Sequence, residues 1–225
     1  MDTHLVSRQR YPRKHAVWSD TAERPLSLLH VTFVIGHRGA PGYLPEHTRS
    51  SYLLAFEQGV DAVEPDVVVS RDGVLVVRHG NDISTTTDVA DHPEFADRRT
   101  TRTVDGEKRH GWFVEDFDWA ELATLRSRER LPRLRPHSAA HDGEEPILRL
   151  RDVLDLTRAA SERHGRSIGM VLEIKHATYF ASIGWDAAAL VEAELLAAGW
   201  AEKTMPLVIE SFEASVLEEI GRAHV

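Results

Sequence analysis

The sequence predicts a parallel α/β fold, and two observations support this prediction. First, strand-like runs alternate with segments of helical spacing from about residue 31 onward. Second, the runs consist almost entirely of apolar residues, which is typical of strands buried on both faces of a parallel sheet. The chain of 225 residues is 42% hydrophobic and 28% charged, which is enough for one globular domain with a sizeable core.

The individual elements are predicted from periodicity and from the Gly and Pro residues that end them. Residues 1–30 mix Arg, His, Pro and Ser without periodicity, and we interpret them as a disordered leader. The predicted strands lie at residues 31–36, 60–70, 74–77, 168–174 and 207–212, with a tight turn at residues 71–73 joining the second and third as a hairpin. The predicted helices lie at residues 47–58, 150–164 and 186–198, with a further helix starting near residue 213.

Residues 80–146 interrupt this alternation. They are rich in Thr, Asp and Arg with scattered aromatic residues, and only residues 117–128 have helical spacing. The segment is too long to be an ordinary loop. We therefore interpret residues 80–146 as a subdomain inserted into a single domain that covers residues 31–225.

Composition excludes several classes of protein. The formal net charge of −9 leaves no basic field for a nucleic acid, so we expect no nucleic-acid partner. The absence of Cys excludes disulfides, thiolate nucleophiles and cysteine-built zinc sites. No segment has the length to span a bilayer, and the first thirty residues lack the apolar core of a signal peptide, so we expect no stable membrane insertion. The compartment stays open, with the cytoplasm as the default.

Ionisable residues follow the predicted strands at the points where these strands end. In a barrel of parallel strands such residues converge on the carboxyl-terminal rim, where active sites form. Residues two apart on a strand also share one face. The candidates are His37 and Arg38 after the first strand, Glu64 and Asp66 on the second, His79 after the third, and Glu173 and Lys175 at the end of the fourth.

The three acidic candidates, Glu64, Asp66 and Glu173, indicate a metal site. Carboxylates that meet inside a core repel one another and lose hydration, and a bound divalent cation removes both problems. A set of oxygen ligands favours Ca²⁺ or Mg²⁺ over zinc. A Glu-x-Asp pair alone is common, so the prediction depends on the coincidence of four strand ends. The other histidines are interpreted as loop or surface residues: His92, His110, His137, His141 and His164.

Several motifs carry a resemblance to a known family. They are Gly-His-Arg-Gly-Ala at residues 36–40, Pro-Glu-His-Thr at 45–48, Glu-Pro-Asp-Val at 64–67, Arg-His-Gly-Asn-Asp-Ile at 78–83, Leu-Glu-Ile-Lys at 172–175 and Glu-Ser-Phe at 210–212. In order and spacing, residues 33–218 resemble the glycerophosphodiester phosphodiesterases. Residues 86–90 and 111–117 are similar to the inserted segment of the bacterial periplasmic-type branch, whose members are often periplasmic or secreted.

The resemblance implies a TIM-type (β/α)8 barrel that hydrolyses glycerophosphodiesters, which are small-molecule substrates, to glycerol 3-phosphate and an alcohol. It implies that His37 and His79 act as general acid and base. It assigns a divalent cation, Ca²⁺ or Mg²⁺, to Glu64, Asp66 and Glu173, and the binding of the phosphate to Arg38 and Lys175. Imidazole titrates near neutral pH and therefore suits both proton transfers.

The chain departs from the family pattern at His47, where the motif usually has Asn. We expect His47 to donate a hydrogen bond near the metal, and Glu46 to contact the metal or its ligands. Two other functions stay open. A sphingomyelinase-D-like phosphodiesterase acting on phospholipid head groups is disfavoured by the inserted segment, and an inactive phosphodiester-binding protein is disfavoured by the presence of both histidines.

The number of predicted strands is smaller than a closed barrel requires. Eight strands close such a barrel, and about five are predicted here. Residues 219–225 match the translation of a common sequencing adapter, so we expect a barrel truncated at its carboxyl terminus, and we expect the chain alone to be poorly soluble or weakly active. The alternative is a short domain that oligomerises to cover its open edge. The sequence leaves the oligomeric state open.

Overall fold

The computed structural model describes residues 32–200 and 205–223. The predicted leader lies outside these residues. The strands of the described part are β1 (Ile35–His37), β2 (Ala62–Glu64), β3 (Asp66–Val69), β4 (Leu75–Val77), β5 (Thr100–Val104), β6 (Glu107–Gly111), β7 (Gly169–Ile174) and β8 (Leu207–Glu210). Its helices are α1 (Arg49–Glu57), α2 (Trp119–Leu122), α3 (Pro136–Ala139), α4 (Leu150–His164), α5 (Ala177–Ser182), α6 (Ala187–Ala197) and α7 (Ala214–Ala223).

The main sheet is parallel except for one strand. β2 and β3 both pair with β7 in parallel, and β7 also pairs in parallel with β8. β1 lies parallel to β2, whereas β4 runs antiparallel to β3 as the returning strand of the predicted hairpin. The predicted alternation of strands and helices is therefore confirmed, and among the described residues the sheet does not close into a barrel.

β2 and β3 form one strand that is interrupted at Pro65. Ala62 pairs with Gly169 and Asp66 pairs with Glu173, so the register against β7 is unchanged across the break. Proline has no N–H to donate to the ladder, but its carbonyl oxygen still accepts from the backbone N–H of Glu173 at 2.9 Å. The prediction of one continuous strand over residues 60–70 is corrected to two shorter strands.

Local capping explains where the helices begin and end. The Thr48 side chain accepts a hydrogen bond from the Ser51 N–H and begins α1, so His47 lies just outside the helix instead of at its start as predicted. The Asp186 side chain begins α6 in the same way. α4 ends at Gly165 in the left-handed conformation and has the predicted bounds. The short helix α5 was not predicted.

Residues 80–146 contain more structure than the single predicted helix. The predicted helix over residues 117–128 is reduced to one turn, α2. β5 and β6 form a two-stranded hairpin apart from the main sheet, and the residues of its tight turn, Asp105 and Gly106, both have positive φ. Three 3-10 turns cover Val89–Asp91, Pro93–Arg98 and Val114–Asp116. The interpretation of this segment as an inserted subdomain stays a prediction.

The core lies on both faces of the main sheet. All residues of β2, β3, β4 and β7 are buried, as the apolar runs predict. Among the helices, α1 packs against α4, and α6 packs against both α5 and α7. Over the described ranges, no helix combines the length and apolar character needed to cross a membrane. The sheet thus supplies a rigid base for the side chains at its carboxyl edge.

A close backbone contact joins the loop after β1 to α1. Gly39 has a φ of +91°, and a Cβ atom at this position would lie 2.5 Å from Ser51 Oγ and 2.7 Å from the Ser51 carbonyl carbon. The Ser51 hydroxyl also accepts a hydrogen bond from the Ala40 N–H at 2.8 Å. Only glycine combines this conformation with this distance of approach.

We predict that Gly39→Ala lowers the free energy of unfolding by about 2 kcal/mol or more, because it adds a backbone clash to an unfavourable φ. Gly42→Ala is the matched control, since a Cβ atom at this position would meet no atom of the described residues within 4 Å, and it should change stability by less than about 0.5 kcal/mol. Urea denaturation of the purified protein measures both. Equal stability of the two variants would contradict the close contact between this loop and α1.

Candidate active site

Three buried carboxylates meet at the carboxyl edge of the main sheet. Glu64 ends β2, Asp66 begins β3, and Glu173 lies beside Asp66 on β7. One oxygen from each carboxylate can be chosen so that all three lie within 4.8 Å of one another. The three acidic residues therefore converge in the described structure, as the sequence predicts.

The three carboxylates differ in the direction in which their pKa values are shifted. Burial, followed by repulsion from Asp66, raises the pKa of Glu64 to about 9. Burial is also the main cause that raises the pKa of Glu173 to about 7. Burial alone would raise the pKa of Asp66 as well, but the hydrogen bond with His47 and the positive charge of Lys175 bring it below its ordinary range. Without a cation, the cluster therefore retains a proton at neutral pH.

The donor atoms of the cluster fit a hard divalent cation. Three buried oxygens, Glu64 Oε1, Asp66 Oδ1 and Glu173 Oε1, accept no hydrogen bond from the described residues. Buried carboxylate oxygens without donors are costly unless a cation contacts them. Ca²⁺ and Mg²⁺ are bound by such oxygen ligands. These three residues could therefore hold the predicted cation.

Two basic side chains border the cluster. Arg38 Nε lies 3.0 Å from Asp66 Oδ2, and its Nη1 lies 3.3 Å from Glu46 Oε2. Lys175 Nζ lies 3.0 Å from Asp66 Oδ1 and 2.7 Å from Glu173 Oε1. Both side chains are nearly buried. Lys175 therefore offsets part of the negative charge of the cluster at Asp66 and Glu173.

The two candidate histidines approach the cluster from different strands. His37 ends β1, pairs with Glu64 across the ladder, and has its Nε2 3.8 Å from Glu64 Oε2. His79 follows β4, whose antiparallel direction returns the chain to the site, where the Arg78 N–H donates to the Asp66 carbonyl oxygen at 3.0 Å. The side chain of His37 is 64% exposed. The fold therefore places both histidines at the rim, although β4 is not a parallel strand.

Both histidines are neutral at neutral pH. Partial burial, and then the positive charge of Arg38, lower the pKa of His37. The same two causes lower the pKa of His79 to about 4. Each ring can therefore accept a proton at neutral pH. Their roles as general acid and base stay predictions.

A cavity of about 180 Å³ opens beside the cluster. His79, Glu173 and Lys175 are among its lining residues. The hairpin of β5 and β6 contributes Asp105 and Arg109 to its wall. This contribution was not predicted, because the hairpin has no apolar alternation in the sequence.

Other side chains contact the cluster or its basic neighbours, and the sequence predicts these contacts weakly or not at all. His47 Nε2 lies 3.0 Å from Asp66 Oδ2, and its Nδ1 lies 2.8 Å from the Tyr52 hydroxyl. Glu46 is not one of the clustered carboxylates. It contacts Arg38 and accepts from Arg130 Nε with both oxygens, at 3.1 and 3.2 Å. The expected hydrogen bond of His47 fits this geometry, whereas Tyr52 and Arg130 were missed.

The comparison with known families identifies the chain. The model of the Glycerophosphoryl diester phosphodiesterase family matches residues 37–224, which include every candidate site residue. The chain belongs to this family. The predicted resemblance is therefore confirmed, and the bacterial periplasmic-type branch stays a prediction.

Curated members of the family are similar over most of the chain. It is 38% identical over 145 residues to a glycerophosphodiester phosphodiesterase of Arabidopsis thaliana, a match that covers 64% of the chain and 37% of that protein. It is 31% identical over 204 residues to a glycerophosphodiester phosphodiesterase of Treponema pallidum, covering 84% of the chain and 53% of that protein. The chain thus spans about half, or less, of the length of these relatives.

Solved structures of the family share the fold. A glycerophosphodiester phosphodiesterase from Agrobacterium tumefaciens aligns with a TM-score of 0.58 at 23% identity, over 85% of the chain and 64% of that structure. An Oleispira antarctica phosphodiesterase in complex with the product sn-glycerol-3-phosphate aligns with a TM-score of 0.58 at 24% identity. This alignment covers 85% of the chain and 62% of that structure. These enzymes are TIM-type barrels, and the described residues form part of such a barrel, as predicted.

We predict that Glu64→Gln stabilises the cation-free protein. The pKa of Glu64 is raised to about 9 in the folded state, against about 4.3 in an unfolded chain. The unfolded chain therefore loses this proton first, and stability falls as the pH rises between these two values. Gln does not titrate, so the variant should gain on the order of 2 kcal/mol over the wild type near pH 8.

Urea denaturation in excess chelator, from about pH 5 to about pH 9, measures this difference. Asp66→Asn is the matched comparison and should destabilise the protein, because Asp66 carries its charge and contacts Arg38, His47 and Lys175. If Glu64→Gln is less stable than the wild type at every pH in this range, the interpretation that burial of Glu64 destabilises the cation-free protein is contradicted.

Proposed function

We propose that this family member hydrolyses glycerophosphodiesters to glycerol 3-phosphate and an alcohol, with Ca²⁺ or Mg²⁺ bound by Glu64, Asp66 and Glu173. The observation that carries the proposal is the buried cluster of three carboxylates beside a cavity lined by His79 and Lys175. The presence of sn-glycerol-3-phosphate as the product in the Oleispira antarctica relative supports the same product here. Family membership supports the reaction class.

The basic residues of the site suit a phosphodiester, which is an anion. Lys175 lines the cavity, and Arg38 lies against the carboxylates behind it. An entering phosphoryl group would meet these two cations, which offset the charge that grows on its oxygens in the transition state. A bound divalent cation would add Lewis-acid stabilisation of the same charge. We therefore propose that Arg38 and Lys175 bind and orient the phosphate.

Hydrolysis needs one group to take a proton from the nucleophile and another to protonate the departing alkoxide. We propose that His37 and His79 share these two roles. Both pKa values lie below the ordinary range, so both rings begin as bases in the free site. A bound phosphate anion would stabilise the protonated form of a neighbouring imidazole. The ring nearer the leaving group could then act as the acid.

We predict that His37→Ala and His79→Ala each lower turnover of glycerophosphocholine by about 10²–10⁴-fold, the range that a positioned acid or base contributes. His141→Ala is the control, because His141 pairs with Glu144 on the surface, and it should retain wild-type turnover. Steady-state kinetics of the full-length protein measure all three. If His37→Ala or His79→Ala keeps nearly wild-type turnover, the histidine replaced in that variant has only a structural role.

Parallel assays on sphingomyelin and lysophosphatidylcholine distinguish the proposed reaction from a phospholipid head-group phosphodiesterase. Hydrolysis of these lipids in preference to glycerophosphocholine would replace the proposed substrate class. Binding of glycerophosphocholine without turnover would indicate an inactive phosphodiester-binding protein.

We predict that excess chelator abolishes turnover and that Ca²⁺ or Mg²⁺ restores it, because hard cations prefer oxygen ligands. Glu64→Gln, Asp66→Asn and Glu173→Gln should each raise the cation concentration that gives half-maximal turnover. Glu144→Gln is the control, because this exposed carboxylate pairs with His141 only through a surface contact. Full turnover in excess chelator contradicts the metal site.

A further inference from the structure

The geometry points to a buried hydrogen-bond relay from Tyr52 through His47 to Asp66. We infer that Tyr52 and His47 are positioning residues that set the orientation of the Asp66 carboxylate for cation binding. The inference rests on the proposed function, since Asp66 is one of the three proposed cation ligands. It concerns two residues that line no part of the cavity described above.

The two contacts of the His47 ring fix its tautomer. Its Nε2 lies 3.0 Å from Asp66 Oδ2, and an ionised carboxylate can only accept a hydrogen bond. The proton of a neutral ring must therefore lie on Nε2, and Nδ1 must accept. The Tyr52 hydroxyl, 2.8 Å from Nδ1, is the donor to it. Since Tyr52 and His47 have no exposed surface, no solvent competes for either hydrogen bond.

The relay selects which oxygen of Asp66 is available to a cation. His47 Nε2 and Arg38 Nε both contact Oδ2, each at 3.0 Å. Oδ1 accepts no hydrogen bond from the described residues and lies 3.0 Å from Lys175 Nζ, on the side of Glu173. Rotation of the carboxylate would break the contacts at Oδ2. With Oδ2 held by His47 and Arg38, Oδ1 is the oxygen of Asp66 left for a cation, beside the Lys175 ammonium that also contacts Glu173.

The backbone around His47 is arranged for this contact. His47 has a φ of +61°, which is uncommon for a residue with a side chain. Its N–H donates to the Arg38 carbonyl oxygen at 3.1 Å, and the following residue, Thr48, begins α1. Tyr52 is on the first turns of α1, and its N–H donates to the Thr48 carbonyl oxygen at 3.1 Å. One helix start thus positions both members of the relay.

A variant that removes only the relay's first donor tests the inference. Tyr52→Phe keeps the buried ring and deletes the hydroxyl, so Nδ1 loses its donor and the His47 ring keeps only one of the two hydrogen bonds that orient it. Calorimetric titration with Ca²⁺ and with Mg²⁺ should show cation affinity lowered by about 10-fold or more, the usual effect of removing a group that orients a ligand. Tyr179→Phe is the matched control. It deletes a hydroxyl that donates at 2.5 Å to the carboxylate of Glu115, which is not one of the three clustered residues, and it should leave cation affinity unchanged.

Rescue by a second substitution separates positioning from packing. In His47→Gln, the side-chain amide nitrogen can take the place of Nε2 as a donor to Asp66, and glutamine has no atom at the position of Nδ1 for the Tyr52 hydroxyl to hold. Adding Tyr52→Phe to His47→Gln should therefore change cation affinity by less than about two-fold. The same 10-fold loss in both backgrounds would overturn the relay, because Tyr52 would then act through packing. A Tyr52→Phe protein with wild-type affinity would overturn it as well.

Nitrogen-15 NMR of the imidazole rings in the cation-free wild type tests the relay without a metal or an activity. The expected signature for His47 is a protonated Nε2 and an unprotonated Nδ1, and the opposite tautomer would overturn the relay even if cations bind normally. Failure of the wild type to bind either cation would instead overturn the proposed metal site and, with it, the positioning role. The NMR result therefore distinguishes failure of the relay from failure of the proposed function.

Discussion

The burial of the Asp66 carboxylate is the constraint on which the surrounding structure depends. Its side chain has no exposed surface, and an isolated carboxylate in such a place would lose several kcal/mol of hydration. Arg38, His47 and Lys175 compensate this loss at distances of 3.0 Å. They come from the loop after β1, the turn before α1 and the end of β7. The contacts to one carboxylate thus connect three separate elements of the fold.

The same residues compensate the neighbouring carboxylates only in part: Lys175 Nζ lies 2.7 Å from Glu173 Oε1, and the Arg38 N–H donates to Glu64 Oε2 at 3.0 Å. Glu64 and Glu173 lie close to Asp66, and the pKa of each is raised because burial and the charge of Asp66 both oppose ionisation. A protein selected only for stability would place an uncharged side chain at position 64. Local rules of stability are typically violated at functional sites, and the cost is met by the rest of the fold. The cluster therefore indicates function more strongly than any of its residues alone.

The sequence predicts those parts of the fold and site that depend on local pattern. The helix over residues 150–164 has the predicted bounds because its periodicity is strong and Gly165 ends it. His37, Glu64 and Glu173 converge because parallel strands share one carboxyl edge, whereas His79 reaches the site through the antiparallel return of β4. The hairpin of β5 and β6 was missed because its strands carry mostly polar residues on both faces. Arg130 was missed because it lies 84 residues from Glu46, and only tertiary packing brings them together.

Residues 80–146 are joined to the site more closely than the term insertion suggests. Arg130 holds Glu46, which in turn contacts Arg38. At the tip of the hairpin, Asp105 lies 2.5 Å from His176 Nδ1, next to Lys175. The segment adds no strand to the main sheet among the described residues, yet it supplies one wall of the cavity and supports the base of the site. The sheet therefore fixes the carboxylates, whereas this segment contributes Asp105 and Arg109 to the wall of the cavity beside them.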